Sequence, residues 1–423
     1  MLTAYQNSAA EKPISPESAI IRRLRAALRK KGGAALDDFW RSVEREKTPV
    51  IEEIADDPEN VGCTFVFKGD ETTTSVAVSL PPFSRLFPEN FQMARIAETN
   101  VWFASLKLPK ESLFVYSLVV NCPFQTVNPG SPKAEIDAHR RASRADFFNP
   151  NYLNETRSFV ETPNAGRRTY FENRAGARSG KIERFSLKSE ILNNERAVSI
   201  YTPPGFEASK TYSLLVLFDE EIYLNEIKAP LILDNLLAEK LIPPMIAAFV
   251  GNVENGRETE LAGNPRFADF INYELLGRVG KAYKIAENPE HRIIGGASFG
   301  GLAAVFTGLS APAAFGRILS QSGSFWRGFD AVVAKILERN LPSQKIYLDA
   351  GIYEIEKRGG ISLLDANRDL RDVLRENGYA VGYAEFKGGH GAVNWRANLA
   401  DGLIFLTKDL AEKQNPVGNP NLF

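Results

Sequence analysis

Arg292-Ile-Ile-Gly-Gly-Ala-Ser-Phe-Gly-Gly-Leu-Ala-Ala-Val-Phe306 is the stretch on which the reading of this 423-residue chain turns. Ile293-Ile294 reads as a short buried strand, and Gly301 to Phe306 reads as a helix. Between them, Gly296-Ala-Ser298-Phe-Gly300 fits the pattern G-x-S-x-G. A serine on a sharp strand-to-helix turn has its hydroxyl lifted clear of the sheet. The flanking glycines let backbone approach backbone at the bend. The string alone is weak; the strand before it and the helix after it make it a nucleophile elbow.

Working outward, Leu214–Phe218, Met245–Val250, Arg317–Ser320 and Lys345–Leu348 are further short apolar runs. Helical segments lie between such runs, as at 269–286 and 301–309. Strands buried on both faces of a parallel sheet have this pattern. The expectation for residues 171–423 is an α/β-hydrolase domain with a doubly wound, mostly parallel sheet.

Residues 1–170 read differently. Pro16 to Lys31 suggests a helix, opened by Ser15-Pro16 and stopped by Gly32-Gly33, with an apolar face of Ile20, Ile21, Leu24 and Leu28. Arginines and lysines cover its other face. Packing on its own domain is favoured over a membrane-surface role. A second short helix over Asp38–Glu46 carries Phe39, Trp40 and Val43. Then Cys63–Phe67, Ser75–Leu80, Val101–Phe103 and Phe114–Val120 alternate with turns, which suggests a smaller β-sandwich. Residues 126–180, polar and without periodicity, read as a long surface connection with the domain boundary near 165–180.

Composition narrows the function. Lys plus Arg number 51 and Asp plus Glu 52, a net charge of −1, which disfavours a nucleic-acid partner held by a global field. No run of about 18 apolar residues exists to span a membrane. The first residues lack the apolar core of a signal peptide, so a cytoplasmic protein is the expectation. The two cysteines, Cys63 and Cys122, are too few for a disulfide framework or a four-ligand zinc site and read as buried thiols. No cofactor and no resident metal are expected.

A serine nucleophile needs a base, and the chain has three histidines. In this fold the order is nucleophile, acid, histidine, and His139 and His291 precede Ser298. His390 is left, in the loop Phe386-Lys-Gly-Gly-His390-Gly after the β-prone run Tyr379–Phe386. The acid belongs after the preceding strand, where Asp349-Ala-Gly-Ile-Tyr-Glu354 offers Glu354 first and Asp349 second. One oxyanion donor is the amide of Phe299. The other comes from Asp219, Glu220 or Glu221 after the Leu214 strand, with Glu220 the choice and the carboxylates turned away.

Taken together, these strings resemble the enterochelin (ferric enterobactin) esterases. The resemblance rests on Gly296–Leu302, Leu319-Ser-Gln-Ser-Gly-Ser324 with Phe325-Trp326, and Leu215–Asp219. It rests also on Arg257-Glu-Thr-Glu-Leu261, Gly388-Gly-His390 with Trp395-Arg396, Tyr201–Gly205, Asp146–Pro150 and Phe39-Trp40 with Thr48-Pro49. It covers nearly the whole chain. This chain has Glu220 where the family usually has Gly, and Gly391 where it usually has Asp.

The resemblance implies a serine esterase opening the trilactone of a catecholate siderophore, a small molecule that brings its own iron. Arg257, Arg327 and Arg396 would then supply cations, and Trp326 and Trp395 flat faces, for an anionic aromatic substrate. Arg257 paired with Glu260 as a loop brace is the competing reading of that residue. Two other functions stay open. One is a feruloyl or acetyl esterase on carbohydrate with an accessory module. The other is a siderophore binder with weak catalysis.

Overall fold

The structure, a computed structural model, describes residues 17–86, 88–122, 131–165, 170–172, 174, 178–338 and 344–414. The chain divides into two compact units, Met1–Gly166 with Lys387–Val393, and Arg167–Phe386 with Asn394–Phe423.

The first unit opens with helices Ala19–Lys31 and Ala34–Glu46. Their apolar faces, Ile20, Ile21 and Leu24 with Phe39, Trp40 and Val43, are buried against Val66, Ile96, Val101 and Phe148. The basic helix therefore packs on its own unit. The start signal read at Ser15-Pro16 lies outside the described residues. Gly32 ends the first helix at φ 59°, donating its N–H to the Leu28 carbonyl.

The strands of this unit are β1 (Val50–Ile54), β2 (Asp57–Lys68), β3 (Val76–Ser79), β4 (Ala94–Arg95), β5 (Val101–Pro109), β6 (Leu113–Val120), β7 (Ser143–Arg144), β8 (Tyr152–Asn154) and β9 (Arg157–Glu161). They form two antiparallel sheets, β1-β2-β5-β4 and β3-β6-β9-β8, with β7 also on β6. Phe65 of β2 meets Tyr116 of β6 edge to face at 4.8 Å. The Tyr116 hydroxyl donates to Asp146 at 2.7 Å.

The expected connection over 126–180 is corrected here. Its residues 131–165 include the helix Lys133–Ala142 and β7 to β9, all within this unit. That helix buries no side chain, and the strands are two to five residues long, so neither imposes an apolar period.

The second unit holds β10 (Lys181–Ser189), β11 (Asn194–Thr202), β12 (Ser213–Phe218), β13 (Met245–Val250), β14 (Arg292–Ala297), β15 (Arg317–Gln321), β16 (Lys345–Gly351), a short hairpin of β17 (Lys357–Arg358) and β18 (Ile361–Ser362), and β19 (Ala380–Phe386). Eight of these form one sheet, in the order β10-β11-β13-β12-β14-β15-β16-β19. From β13 to β19 the neighbours run parallel; β10 and β11 are antiparallel, so the sheet is mixed. Every residue of β12, β13 and β15 is buried, which is why these strands read as unbroken apolar runs.

The helix Phe299–Ser310 packs Leu302, Val305 and Phe306 into the core with Ile294 and Ile318, each worth roughly 1.5–3 kcal/mol on burial. The helix expected over 269–286 runs as one helical stretch, α-helical over Pro265–Asp269 and Leu276–Ala282 with a wider π-turn over Phe270–Leu275 between them. Among the described residues no helix is long and apolar enough to cross a membrane.

Candidate active site

Parallel strands end at one edge, and the site is built there. β14 ends at Ala297, and Ser298 takes φ 59° and ψ −121°, a conformation that costs a non-glycine residue about 1–3 kcal/mol. Three hydrogen bonds hold it. Its N–H donates to the Gln321 carbonyl at 2.9 Å, and its carbonyl accepts from Leu302 at 3.1 Å and Ser324 at 3.0 Å. A Cβ on Gly296 would lie 2.5 Å from the Gly300 backbone, so only glycine closes this bend. The Ser298 hydroxyl is 3.2 Å from the Ser324 hydroxyl. The Phe299 amide opens the following helix, where no intrahelical carbonyl is available to it.

The loop after β12 lies beside the elbow. A Cβ on Gly300 would stand 3.1 Å from Asp219 Oδ2. Glu220 is buried, with its carboxylate accepting from Arg184 twice at 3.0 Å and from Ser199 at 2.5 Å. Its side chain is thus turned toward β10 and β11. Asp219, at φ 60°, accepts from Arg257 Nε at 2.6 Å and Nη2 at 2.8 Å, and from Asn252 at 2.7 Å. The brace expected between Arg257 and Glu260 is corrected. Glu260 pairs with Arg196 and Asn194, because Arg196 is buried and needs a carboxylate.

The strand β16 carries the two candidate acids into different settings. Asp349 is fully buried. It accepts from the Ser322 N–H at 3.1 Å and Gln321 Nε2 at 3.4 Å. Burial pushes its carboxyl up to about 8, and the nearby Glu354 charge adds to the rise. Glu354, beyond the strand end, accepts from the Ser322 hydroxyl at 2.7 Å. Ser322 in turn accepts from the Trp395 indole at 3.0 Å, and Gln321 donates to the Trp395 carbonyl at 2.9 Å. Ser322, Gln321 and Ser324 are therefore hydrogen-bonded to Ser298 or to the two candidate acids, and motif reading left them unassigned. The signal was the string Leu319–Ser324, with four polar side chains at the end of a buried strand.

Next to Ser298, two guanidiniums lie near the Phe299 ring. Arg257 is 5.8 Å and Arg327 5.9 Å from its ring centroid. Trp326 meets Phe299 edge to face at 6.0 Å, and Arg358 stands 5.6 Å from a Trp326 ring. Arg327 is half exposed and 3.6 Å from Glu258. Arg358 had no motif to announce it. The two remaining expectations for substrate contact meet a different setting. Trp395 is buried at 6% exposure with its N–H on Ser322, so it offers no open face. Arg396 is buried at 7% with its guanidinium 4.9 Å from the Phe171 ring, a packing position.

His390 belongs to the segment that packs with the first unit. Leu113 N–H donates to the Lys387 carbonyl at 3.3 Å, and Leu113 and Gly388 form a parallel bridge. Lys387 pairs with Glu111 at 2.6 Å. Gly389 runs close to Pro81, where a Cβ would be 3.3 Å from the carbonyl oxygen. These contacts back the loop, and His390 is exposed at its tip. Among the described residues there is no cluster of His, Cys, Asp and Glu able to hold a metal ion. Both cysteines are free and buried.

Comparison with known proteins adds the family. A family described as putative esterase matches residues 189–406. The iron(III) enterobactin esterase of Dickeya dadantii (strain 3937) is 24% identical over 413 residues, covering 88% of this chain and 93% of that protein. Its counterpart from Escherichia coli K12 is 31% identical over 232 residues, covering 53% and 56%. The crystal structure of the Shigella flexneri enterobactin esterase in the presence of enterobactin matches with a TM-score of 0.74 at 25% identity, over 88% of this chain and 98% of that one. The Salmonella typhimurium ferric enterobactin esterase matches with a TM-score of 0.73 at 25% identity, over 89% and 100%. This chain belongs to the esterase family, within its enterochelin esterase group, and is a carboxylic ester hydrolase.

Proposed function

We propose that this esterase hydrolyses the trilactone esters of a catecholate siderophore such as ferric enterobactin, with Ser298 as nucleophile, His390 as general base and Glu354 as the orienting carboxylate. The second unit is read as an α/β-hydrolase domain and the two sheets of the first as a β-sandwich. The observation that carries the substrate class is the surround of Phe299. Three guanidiniums over two aromatic rings, one residue from the nucleophile, suit an anionic aromatic ester.

In the reaction the Ser298 hydroxyl loses its proton to His390 as it attacks the ester carbonyl. The oxyanion that forms is met by the amides of Phe299 and Glu220. The imidazolium then protonates the leaving seryl alkoxide, and water repeats the sequence to free the acyl group as a carboxylate. The first cut opens the ring that tethers the chelating arms and later cuts separate them, which lowers their effective concentration at iron. Iron is cargo of the substrate.

Arg257 serves the oxyanion loop through Asp219 and lies over Phe299, so it shapes the loop as well as facing substrate. The long matches to iron(III) enterobactin esterases give the carbohydrate-ester alternative less support. The test is product analysis by mass after incubation with ferric and iron-free enterobactin. Linear trimers, dimers and monomers of dihydroxybenzoylserine are expected. Intact trilactone beside rapid release from a feruloyl ester would reverse the assignment.

A further inference from the structure

A cleft of about 490 Å³ lies wholly within the first unit, a volume within the range of small-molecule sites, roughly 300–1,000 Å³. His390 and Gly389 form part of its wall, beside Phe114. Its other charged or titratable lining residues are Arg85, Arg140, Arg157, His139 and Tyr116, whose hydroxyl is taken up by Asp146, and no carboxylate lines it among the described residues. The chain as a whole has a net charge of −1, so this one-sided lining is local.

The helix Lys133–Ala142 supplies the half-buried Ile136 and His139 and the exposed Arg140 to the cleft. The Nε2 atom of His139 is buried and has no hydrogen-bond partner among the described residues. Burial, then the charge of Arg85, lowers the His139 pKa, so the ring is neutral at neutral pH and suited to a catechol hydroxyl. Arg140 reaches Asp137 at 3.4 Å while remaining 75% exposed.

We propose that this cleft is an anion subsite for a second arm of the substrate, an N-aroylserine group bearing negative oxygens, held beside the histidine that serves the first arm. The proposal rests on the reading of His390 as the base. A tripodal substrate presents one ester to the nucleophile at a time, and its other arms carry charge that needs cationic contacts. Guanidiniums offer planar donors that match carboxylate and catecholate oxygens. Phe114 lines the same cleft but is almost fully buried, so it shapes the apolar floor.

The experiment uses the full chain as Ser298→Ala, which binds without turnover, titrated calorimetrically with N-(2,3-dihydroxybenzoyl)serine. Adding Arg85→Gln with Arg157→Gln should raise Kd at least tenfold, and added salt should weaken binding in the parent more than in the variant. Arg140→Glu, a charge reversal on an exposed side chain, should raise Kd about threefold or more; it decides the matter if the double variant melts early. Kd within twofold of the parent in Arg140→Glu, or in a folded double variant, overturns the subsite. So does affinity lost only on Arg327→Ala, which would put the probe beside Phe299. Product analysis on the unaltered protein separates the two claims. Turnover with cleft variants that bind like the parent sinks the subsite alone. Absent turnover with the tenfold loss intact sinks the proposed function and leaves an anion site.

Discussion

At the scale of single residues, Ser298, the proposed nucleophile, and the groups around it were visible to different degrees. Ser298 stood in a motif with a known mechanical reason, and its strained φ of 59° agrees with that reason. Ser298→Ala should lower kcat by several orders of magnitude with an unchanged melting temperature; a fluorophosphonate probe that still labels the variant elsewhere in the site would remove Ser298 from the role. Ser322 was not singled out, yet its hydroxyl donates to Glu354 at 2.7 Å and accepts from Trp395 at 3.0 Å. Ser322→Ala should lower kcat about tenfold, the worth of one orienting hydrogen bond, and leave KM unchanged. Its pH profile should shift as well, a readout that plain loss of packing would not move.

The arginines divide by their partners. Arg257, bidentate to Asp219, should on change to Ala lower kcat for a neutral aryl acetate and a catecholate ester alike. Arg327, half exposed with Glu258 at 3.6 Å, should on change to Ala raise KM for the catecholate ester alone. Equal effects of the two changes on both substrates would erase this distinction.

Among elements, buried parallel strands proved the most legible, because a strand covered on both faces is an unbroken apolar run whatever it is joined to. The helix Lys133–Ala142 and strands β7 to β9 were illegible for the opposite reason, since they are short and half solvated. The histidine loop is an element with its own physics. Its glycines lie against the first unit, where a Gly389 Cβ would meet Pro81 O at 3.3 Å, Pro82 at 3.5 Å and Phe114 at 3.8 Å. Gly389→Val has no room for its branches and should displace the loop. Turnover should fall at least a hundredfold while the unfolding midpoint moves by only a few degrees. Retained turnover would mean that the loop tolerates movement and that its backing on β6 is incidental.

For the molecule as a whole, the buried polar network around Asp349 sets a pH dependence of stability. Asp349 has a folded pKa of about 8 against an ordinary 3.8. Between those values the unfolded chain has released the proton and the folded chain keeps it. The unfolded state binds fewer protons, so stability falls as pH rises, by at most about 1.4 kcal/mol per pH unit. Asp349→Asn mimics the protonated form and removes the slope. Its melting temperature relative to wild type should climb from about pH 4 to about pH 8 and stay level above that. A difference independent of pH would mean that Asp349 is ionised in the folded protein.

The sequence by itself determined the turn at Ser298 and the strand-helix rhythm of residues 213–386, because both follow from local geometry, and elimination among three histidines left His390 as the candidate base. Only the tertiary structure decided what the carboxylates do. Asp219, Glu220, Glu260, Asp349 and Glu354 are equivalent as letters, and burial and partners separate them. Asp219 and Glu260 went to guanidiniums, and Glu220 turned away to Arg184 and Ser199. Asp349 went to a site where charge is costly, and Glu354 to a serine hydroxyl at the strand end. Partners so distant in the chain are set by sheet order and loop closure, which no local pattern encodes.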